Sequence, residues 1–287
     1  MKNLLLKIYK DSIKRFTGYG LIKLYPVRML HKFINSLLIP KYVIVDGHKI
    51  FIDKDDSLNL AVGSNYKPME SKVLEEEVKT NNTVLDIGAN IGDDTLLLAK
   101  IVGSKGKIYA FEPDPENFKL LQKNIKTNKY RNVVCINKAV SDKDGKIKLF
   151  LSENNKADHR IYGSEFDRKH IKVNMVSIDS YFKNKNQKID VIKIDIQGAE
   201  MLAFEGMKNT LRRNKYPKIL CEFWPIGLRR CGSSAGLYLK FLRKLGYTIY
   251  FIDESGGKII KVSDKYLKNK FTIKNEKFAN LVCKMKQ

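Results

Sequence analysis

The segment Val84–Gly92 (VLDIGANIG) joins a short apolar run to a helical run through a loop of small residues. Glycine lets a backbone turn tightly and approach a ligand closely, and the start of the following helix offers free N–H groups. Gly88 and Gly92 have the spacing G-x-x-x-G, so the G-x-G-x-x-G pattern that cradles a dinucleotide pyrophosphate is missing. Asp86 instead places a carboxylate where it would attract a sulfonium or an amino group. We therefore predict a cofactor site at this loop, with Asn90 included; a tight turn without a ligand is the alternative.

Two acidic segments further along the chain fit the same kind of cofactor. Glu112 and Pro113 follow the next predicted strand, where a carboxylate would accept hydrogen bonds from both hydroxyls of a ribose. Ser141 and Asp142 lie just past the third predicted strand, where they would meet the exocyclic amine of adenine. Because the three segments occur in order at βαβ spacing, they predict a nucleoside-bearing cofactor. Taken alone, Glu112 also fits a helix-capping carboxylate.

A second group of reactive side chains lies at the ends of two later predicted strands. Asp195 ends an apolar strand that also carries Lys193, and it faces the predicted cofactor cleft. It is our first candidate for a general base or a metal ligand, because a base must reach the proton that it removes. A helix-capping role is the alternative for Asp195. Glu222 ends the next strand and is the second carboxylate candidate, with a buried partner of a lysine as its alternative.

The least regular interior stretch of the chain contains His159 and Arg160. Histidine titrates near neutral pH, so His159 is a candidate base, a substrate-orienting group, or a metal ligand together with Asp195 and Glu222. The sequence leaves that divalent metal open. Arg160 would clamp a carboxylate or a phosphate of a substrate. Trp224 would stack on a sugar ring, with ordinary core packing as its alternative.

These residues require an alternation of strands and helices to position them. The predicted strands span residues 83–88, 107–112, 133–137, 145–151, 190–196, 218–223, 247–253 and 278–284, after a hairpin at 42–53. The predicted helices span residues 70–79, 93–102, 115–127, 199–213 and 235–245. Such alternation indicates an α/β fold with a mostly parallel sheet covered by helices on both faces. The two closing strands suggest one antiparallel edge.

The motifs together resemble the FkbM-type S-adenosylmethionine-dependent methyltransferases. The resemblance covers residues 83–251 and rests on VLDIGANIG (84–92), AFEPDP (110–115), KAVSDKDG (138–145), DHRIYG (158–163), VNMVSIDSYF (173–182), DVIKIDIQGAE (190–200) and CEFWP (221–225). Residues 1–69 are predicted from their own composition as a basic helical and hairpin extension, and residues 70–287 as the domain itself. The resemblance implies a Rossmann-like, seven-stranded class I methyltransferase sheet for that domain. It also implies S-adenosylmethionine as cofactor, which Asp195 would help to contact.

The resemblance further implies O-methylation of a hydroxyl on a sugar, a glycan or another small metabolite. Methyl transfer is an in-line displacement, so the protein mainly positions the donor and the acceptor, and an alcohol acceptor also needs a base. Members of the family usually carry a glutamate where this chain has Gln197. This departure removes one carboxylate, and we expect Gln197 to hydrogen-bond the substrate instead.

The net charge of +23 predicts an anionic partner such as nucleic acid, an acidic membrane or a charged glycan, unless the lysines only cover solvated faces. Residues 1–40 hold eight Lys/Arg and one acid, with Leu5, Ile8, Ile13 and Phe16 near helical spacing. They predict a helix on an anionic membrane or, alternatively, one docked on the same domain. The absence of a secretory signal, of a membrane-spanning run and of a disulfide framework favours the cytoplasm, including the inner face of the membrane.

Two other functions compete with small-molecule methylation. An RNA ribose methyltransferase would explain the positive charge, and Lys193 with Asp195, Glu200 or Glu222 resembles part of the catalytic set of such enzymes. The sequence carries no RNA-binding signature, which disfavours this reading. A non-catalytic, cofactor-binding peripheral membrane protein would keep Asp86 and Glu112 but would need no acid–base residues.

Overall fold

The computed structural model describes Leu6, Tyr9 and residues 25–61, 67–152, 155–163 and 168–285. Its strands are β1 Tyr42–Val45, β2 His48–Phe51, β3 Thr83–Ile87, β4 Lys107–Phe111, β5 Val133–Ile136, β6 Ala139–Val140, β7 Gly145–Phe150, β8 His170–Val176, β9 Val191–Ile194, β10 Lys218–Phe223, β11 Tyr247–Asp253, β12 Lys258–Lys261 and β13 Ala279–Met285. Its helices are α1 Tyr25–Leu38, α2 Pro68–Glu77, α3 Asp93–Val102, α4 Pro115–Thr127, α5 Ile178–Tyr181, α6 Glu200–Glu205, α7 Lys208–Arg213, α8 Pro225–Arg230, α9 Ala235–Lys244 and α10 Asp264–Lys270.

The central sheet has the strand order β12-β11-β13-β10-β9-β3-β4-β5. The strands from β10 to β5 run parallel, whereas β13 is antiparallel to both β10 and β11. This arrangement confirms the predicted Rossmann-like sheet of seven strands with an antiparallel member near one edge. An eighth strand, β12, is added outside β11, in residues where the sequence predicted no strand.

Side chains alternate along the strands, so each face of the sheet has its own apolar core. On β10, Ile219 and Cys221 point into one core, while Leu220 points into the other. Helices α6, α7 and α9 cover the first core, and helices α2, α3 and α4 cover the second. Burial of both faces explains why the parallel strands are continuous apolar runs.

Two predicted elements differ in the structure. The single helix expected over residues 199–213 is divided into α6 and α7. Gly206 lies at the break, where a Cβ atom would be 2.0 Å from the carbonyl oxygen of Ser141. The strand expected at 145–151 is β7, and it pairs with β8 in a separate three-stranded sheet of order β6-β8-β7. The alternating pattern located β7 but not its partner, because strand pairing is a long-range contact.

The predicted hairpin is formed by β1 and β2, and it docks on α4 through two asparagines. Asn124 accepts from the N–H of Phe51 at 2.7 Å and donates to the Phe51 carbonyl at 3.0 Å. Asn128 makes the same pair of bonds with Lys49. The side-chain amides therefore continue the hydrogen bonding of an edge strand, which fixes the extension on the central domain.

Most of the predicted N-terminal helix falls on Leu5, Ile8, Ile13 and Phe16, which lie outside the described residues. Leu6, within that segment, is fully buried in the core beneath α2 and α3. Over the ranges that the structure describes, none of the helices has the length and apolar character needed to span a bilayer.

Candidate functional site

The loop after β3 turns tightly at the carboxyl edge of the sheet. Gly88, Asn90 and Gly92 have φ angles of +85°, +50° and +92°, in the left-handed region that glycine and asparagine tolerate best. A Cβ atom on Gly88 would lie 1.9 Å from the carbonyl oxygen of Asp195. Only glycine lets this loop pack against the loop that follows β9.

The carboxylate of Glu112 stands beside the glycine loop. Its two oxygens accept from the backbone N–H groups of Asn90, at 2.8 Å, and Asp114, at 2.9 Å. Burial raises the pKa of Glu112 to about 8. Each oxygen keeps a lone pair, so the side chain can still accept hydrogen bonds from a ligand.

A first cavity of about 580 Å³ opens beside this carboxylate. Gly88, Glu112 and Pro113 form one wall, and Lys138 and His159 lie on others. The cavity therefore lies directly against the glycine loop and is open to solvent.

The ring of His159 forms part of the cavity wall. Its Nδ1 accepts from the N–H of Ser152 at 3.0 Å, and its Nε2 is 3.9 Å from a carboxylate oxygen of Asp114. Burial lowers the pKa of His159, which keeps the imidazole neutral at neutral pH. These contacts hold the ring in place.

A second cavity, of about 1100 Å³, continues from the first at the edge of the sheet. Asp195 and Gln197 line both cavities. The Asp195 Oδ1 atom accepts from the Gln197 amide at 2.9 Å, and its Oδ2 atom is 3.7 Å from the ammonium of Lys67. Its side chain is 29% exposed, so the carboxylate is oriented but still accessible to a ligand.

One wall of the second cavity is a cation stacked on an aromatic ring. The Arg160 guanidinium lies 4.6 Å from the ring centroid of Trp224. Asp158 holds Arg160 by a 2.6 Å hydrogen bond from Nε and also binds Arg168. The Trp224 indole donates to the carbonyl of Glu276 at 3.0 Å. These contacts fix a flat, positively charged surface of the kind that recognises sugars and carboxylates.

A buried ion network lies beneath the second cavity. The Lys193 ammonium is 2.9 Å from Asp94 and 3.4 Å from Asp86, and Asp86 also accepts from the hydroxyl of Thr95 at 2.5 Å. Burial alone would lower the pKa of Lys193, but Asp86 and Asp94 raise it well above its ordinary value. Lys193 is therefore a permanent cation.

Glu200 and Glu222 are both buried, and each has one oxygen with no hydrogen-bond partner among the described residues. The other oxygen of Glu200 accepts from the N–H groups of Ile196 and Gly198, so this side chain caps the loop after β9. Burial raises the pKa of Glu222 well above its ordinary value, and the charges of Asp195 and Glu200 raise it further.

The family model of the methyltransferase FkbM domain matches residues 86–249, which is more than half of the chain. This chain belongs to the FkbM methyltransferase family. Its central domain is thus of the S-adenosylmethionine-dependent class that the sequence motifs predicted.

Three known proteins are similar to this FkbM chain. Hexuronic acid methyltransferase AglP of Haloferax volcanii is 26% identical over 145 residues, which cover 49% of this chain and 56% of that protein. The structure of FkbM from Methylobacillus flagellatus KT has a TM-score of 0.44 and 16% identity, covering 79% of this chain and 52% of that chain. A SAM-dependent methyltransferase from Aquifex aeolicus has a TM-score of 0.44 and 18% identity, covering 81% of this chain and 97% of that chain. The chain thus spans only about half the length of AglP and of the Methylobacillus protein.

The structure distributes the predicted cofactor residues unevenly. Gly88, Asn90, Glu112 and Pro113 line the first cavity. Asp86 does not reach a cavity, because it is fully buried against Lys193 and Thr95. Gly92 packs against Leu121 instead. Ser141 is buried, Asp142 is exposed, and neither contributes to the cavity walls, which are formed there by Lys138, Ala139 and Val140.

The predicted catalytic and substrate residues also divide into two groups. Asp195, Arg160, Gln197 and Trp224 line the second cavity with Glu222, whereas His159 lines only the first. The metal set of Asp195, Glu222 and His159 is not assembled, and the described residues contain no group of three such side chains placed to hold a metal ion. Lys193 faces the second cavity only as the paired cation described above.

Several residues around the second cavity were missed from the sequence. They are Lys67, Asp93, Asp94, Phe278 and Asn280. Asp93 and Asp94 are in the first turn of α3, directly after the glycine loop, and this position was a usable signal. Phe278 and Asn280 lie near the start of β13, which is antiparallel and therefore begins at the carboxyl edge of the parallel strands.

Proposed function

We propose that this FkbM protein transfers a methyl group from S-adenosylmethionine to a hydroxyl of a sugar, a glycan or another small metabolite. The observation that carries the proposal is the position of Asp195, whose carboxylate lies where the two cavities meet. A base at this junction can face a donor on one side and an acceptor on the other.

The first cavity fits the donor. Glu112 would accept the ribose hydroxyls, and the absent side chain of Gly88 leaves the loop open to close approach of the ligand. Pro113 and Val140 give the cavity an apolar surface for a purine. When bound, S-adenosylmethionine would supply an electrophilic methyl group on a sulfonium.

The second cavity supports a hydroxyl acceptor. Asp195 would take the hydroxyl proton as the acceptor oxygen gains the methyl group. Lys67 and the Gln197 amide hold the carboxylate in place. A glutamate at position 197, as in other family members, would repel the Asp195 carboxylate. The Gln197 amide instead donates to it, so this chain would have a single, oriented base.

The stacked pair of Arg160 and Trp224 supports a sugar or an acidic acceptor, since a ring can lie on the indole and a carboxylate can face the guanidinium. The name of the Haloferax relative, hexuronic acid methyltransferase, agrees with this class of substrate. An RNA ribose methyltransferase is less well supported, because Lys193 is paired with Asp86 and Asp94 and offers no base. A divalent metal forms no part of the proposal.

The test is the replacement Asp195→Asn, which keeps the shape of the side chain and removes the base. We expect methyl transfer from labelled S-adenosylmethionine to a glycan extract to fall about 10²- to 10⁴-fold, with S-adenosylhomocysteine binding retained. Asp142→Asn is the matched control, since Asp142 is exposed and outside the cavity walls. Equal activity of the two variants would remove Asp195 as the base, and an absence of S-adenosylmethionine binding by the unmodified protein would reject the whole proposal.

A further inference from the structure

Apolar side chains lie exposed along one side of α1. Met29, Leu30, Phe33 and Leu37 expose 51%, 59%, 62% and 57% of their surfaces. Their spacing places them within about 100° of one another around the helix axis. Leu38, on the other side of the helix, packs against the core. The helix therefore has two apolar sides, and the central domain covers one of them.

The first strand of the hairpin repeats this arrangement. Val43 and Val45 pack against the core, whereas Tyr42 and Ile44 point outward and are strongly exposed. Six of the eleven strongly exposed large apolar side chains of the described residues thus fall between Met29 and Ile44. Such a concentration marks an interaction surface, because single exposed apolar residues are normally scattered.

Lysines accompany these apolar side chains. A groove of about 790 Å³ between the end of α1, the hairpin and α4 is lined by Lys41, Lys54 and Lys123, which are all exposed. The Lys123 ammonium lies 3.5 Å from the ring centroid of Phe51, on the groove wall. The carboxylate of Asp53, which also lines the groove, accepts from backbone N–H groups of its own turn.

We propose that this surface docks on an anionic lipid bilayer, with the exposed side of α1, Tyr42 and Ile44 in the interface and the groove lysines against lipid phosphates. Stable membrane binding without a spanning helix needs an apolar and an electrostatic contribution together, and this surface supplies both. A second copy of the chain is a poorer occupant, because two surfaces of a protein with net charge +23 repel each other. The inference does not depend on methyl transfer.

Flotation of the full chain with vesicles tests the proposal. We expect binding to phosphatidylcholine vesicles that contain one third phosphatidylglycerol, weaker binding to phosphatidylcholine alone, and loss of binding as salt rises. The double variant Leu30→Ser/Leu37→Ser should lower the partition coefficient by about tenfold or more. Leu237→Ser is its matched control, because Leu237 is 58% exposed on α9, away from this surface.

A charge variant separates the electrostatic contribution. Lys41→Glu/Lys123→Glu should lower the partition coefficient at least about twentyfold on anionic vesicles, whereas Lys240→Glu on α9 should change it little. Circular dichroism confirms that each variant is folded. The proposal is overturned if the Leu30/Leu37 variant floats as well as Leu237→Ser, or if the chain does not float. It is also overturned if these leucines instead mediate a concentration-dependent dimer seen by light scattering.

Discussion

Glu112 is a carboxyl group whose protonation is set by burial. Its pKa of about 8 means that the folded protein retains, at neutral pH, a proton that the unfolded chain releases above its ordinary pKa of 4.5. The raised pKa therefore contributes to the free energy of unfolding. This contribution is fully present below about pH 4.5 and is lost as the pH rises towards about 8. A ligand whose hydroxyl groups donate to the carboxylate favours the ionised form and must displace this proton.

We expect the affinity for S-adenosylhomocysteine to rise with pH between 6 and 8, by at most about tenfold per pH unit, because ribose binding competes with the proton on Glu112. Titration calorimetry at several pH values measures this dependence. Glu112→Gln should bind more weakly at pH 8 and lose most of the pH dependence. If Glu112→Gln keeps the full pH dependence of binding, another acid is responsible for it. Asp93 and Glu200 are the candidates, because burial raises their pKa values to about 7.

Lys193 is structural in this protein, so its removal should affect stability. Lys193→Met leaves Asp86 and Asp94 buried without their cation, and we expect the free energy of unfolding to fall by about 3–5 kcal/mol. Urea unfolding measures the change. Adding Asp86→Asn to Lys193→Met should restore part of the loss. Lys188→Met, which removes a lysine that is 79% exposed, should change stability by less than about 1 kcal/mol. Similar stability of both lysine variants would contradict the structural role.

At the scale of secondary-structure elements, the site depends on how closely two loops approach. The loops after β3 and β9 leave neighbouring parallel strands at the same edge of the sheet. The N–H of Asp195 donates to the carbonyl of Ile87 at 3.0 Å, and Gly88 packs beneath the carbonyl of Asp195. The glycine loop therefore positions the candidate base as well as one wall of the first cavity.

Two glycines with nearly the same φ angle test this approach. Gly88 and Gly47 have φ angles of +85° and +84°, but a Cβ atom on Gly47 meets nothing within 4 Å. Gly47→Ala should cost about 1–2 kcal/mol, from the backbone conformation alone. Gly88→Ala should lose more stability and all measurable S-adenosylhomocysteine binding, because its Cβ displaces the Asp195 loop. Thermal unfolding by circular dichroism and calorimetry provide the readouts, and equal losses in the two variants would contradict the close approach.

At the scale of the whole molecule, ligand binding should raise the thermal stability of the folded chain. S-adenosylhomocysteine at 100 times its dissociation constant adds about 2.7 kcal/mol, which corresponds to a rise in Tm of roughly 5–10 °C. NAD at the same concentration should give no shift, because the G-x-x-x-G loop lacks the pyrophosphate pattern. Differential scanning calorimetry makes the comparison. A shift with NAD as large as that with S-adenosylhomocysteine would reject the donor site.

The extension contacts the central domain at two places. The hairpin is bound to α4 through Asn124 and Asn128, and Ser57 accepts from the N–H of Lys156 at 3.0 Å, beside the cavities. We propose that residues 1–69 act as a docked extension of the methyltransferase domain, 70–287, rather than as a separate unit. The extension would then hold the domain at the membrane. It would also contribute two of its own residues, Leu58 and Lys67, to the second cavity.

Local patterns were sufficient to predict most of the central sheet. The parallel strands are buried on both faces and read as apolar runs, and Gly88 and Pro115 mark the turn and the helix start around them. The third sheet was not predicted, because β7 and β8 pair across a long irregular stretch. In the same way, Lys67 and Asn280 were not predicted, because they reach the site from segments far away along the chain.

The sequence by itself determined the order of the chemical segments, and with it the family, the glycine loop and the carboxylates at the strand ends. Only the tertiary structure decided which of those carboxylates is available. Asp86 and Asp195 both follow apolar strand residues, but Asp86 lies directly opposite Lys193 on the neighbouring strand and is neutralised there. Asp195 lies one step beyond the last paired residue of β9, in the loop, where the cavities open. Register between strands is a property of their packing, and it assigned one carboxylate to the core and the other to the candidate site.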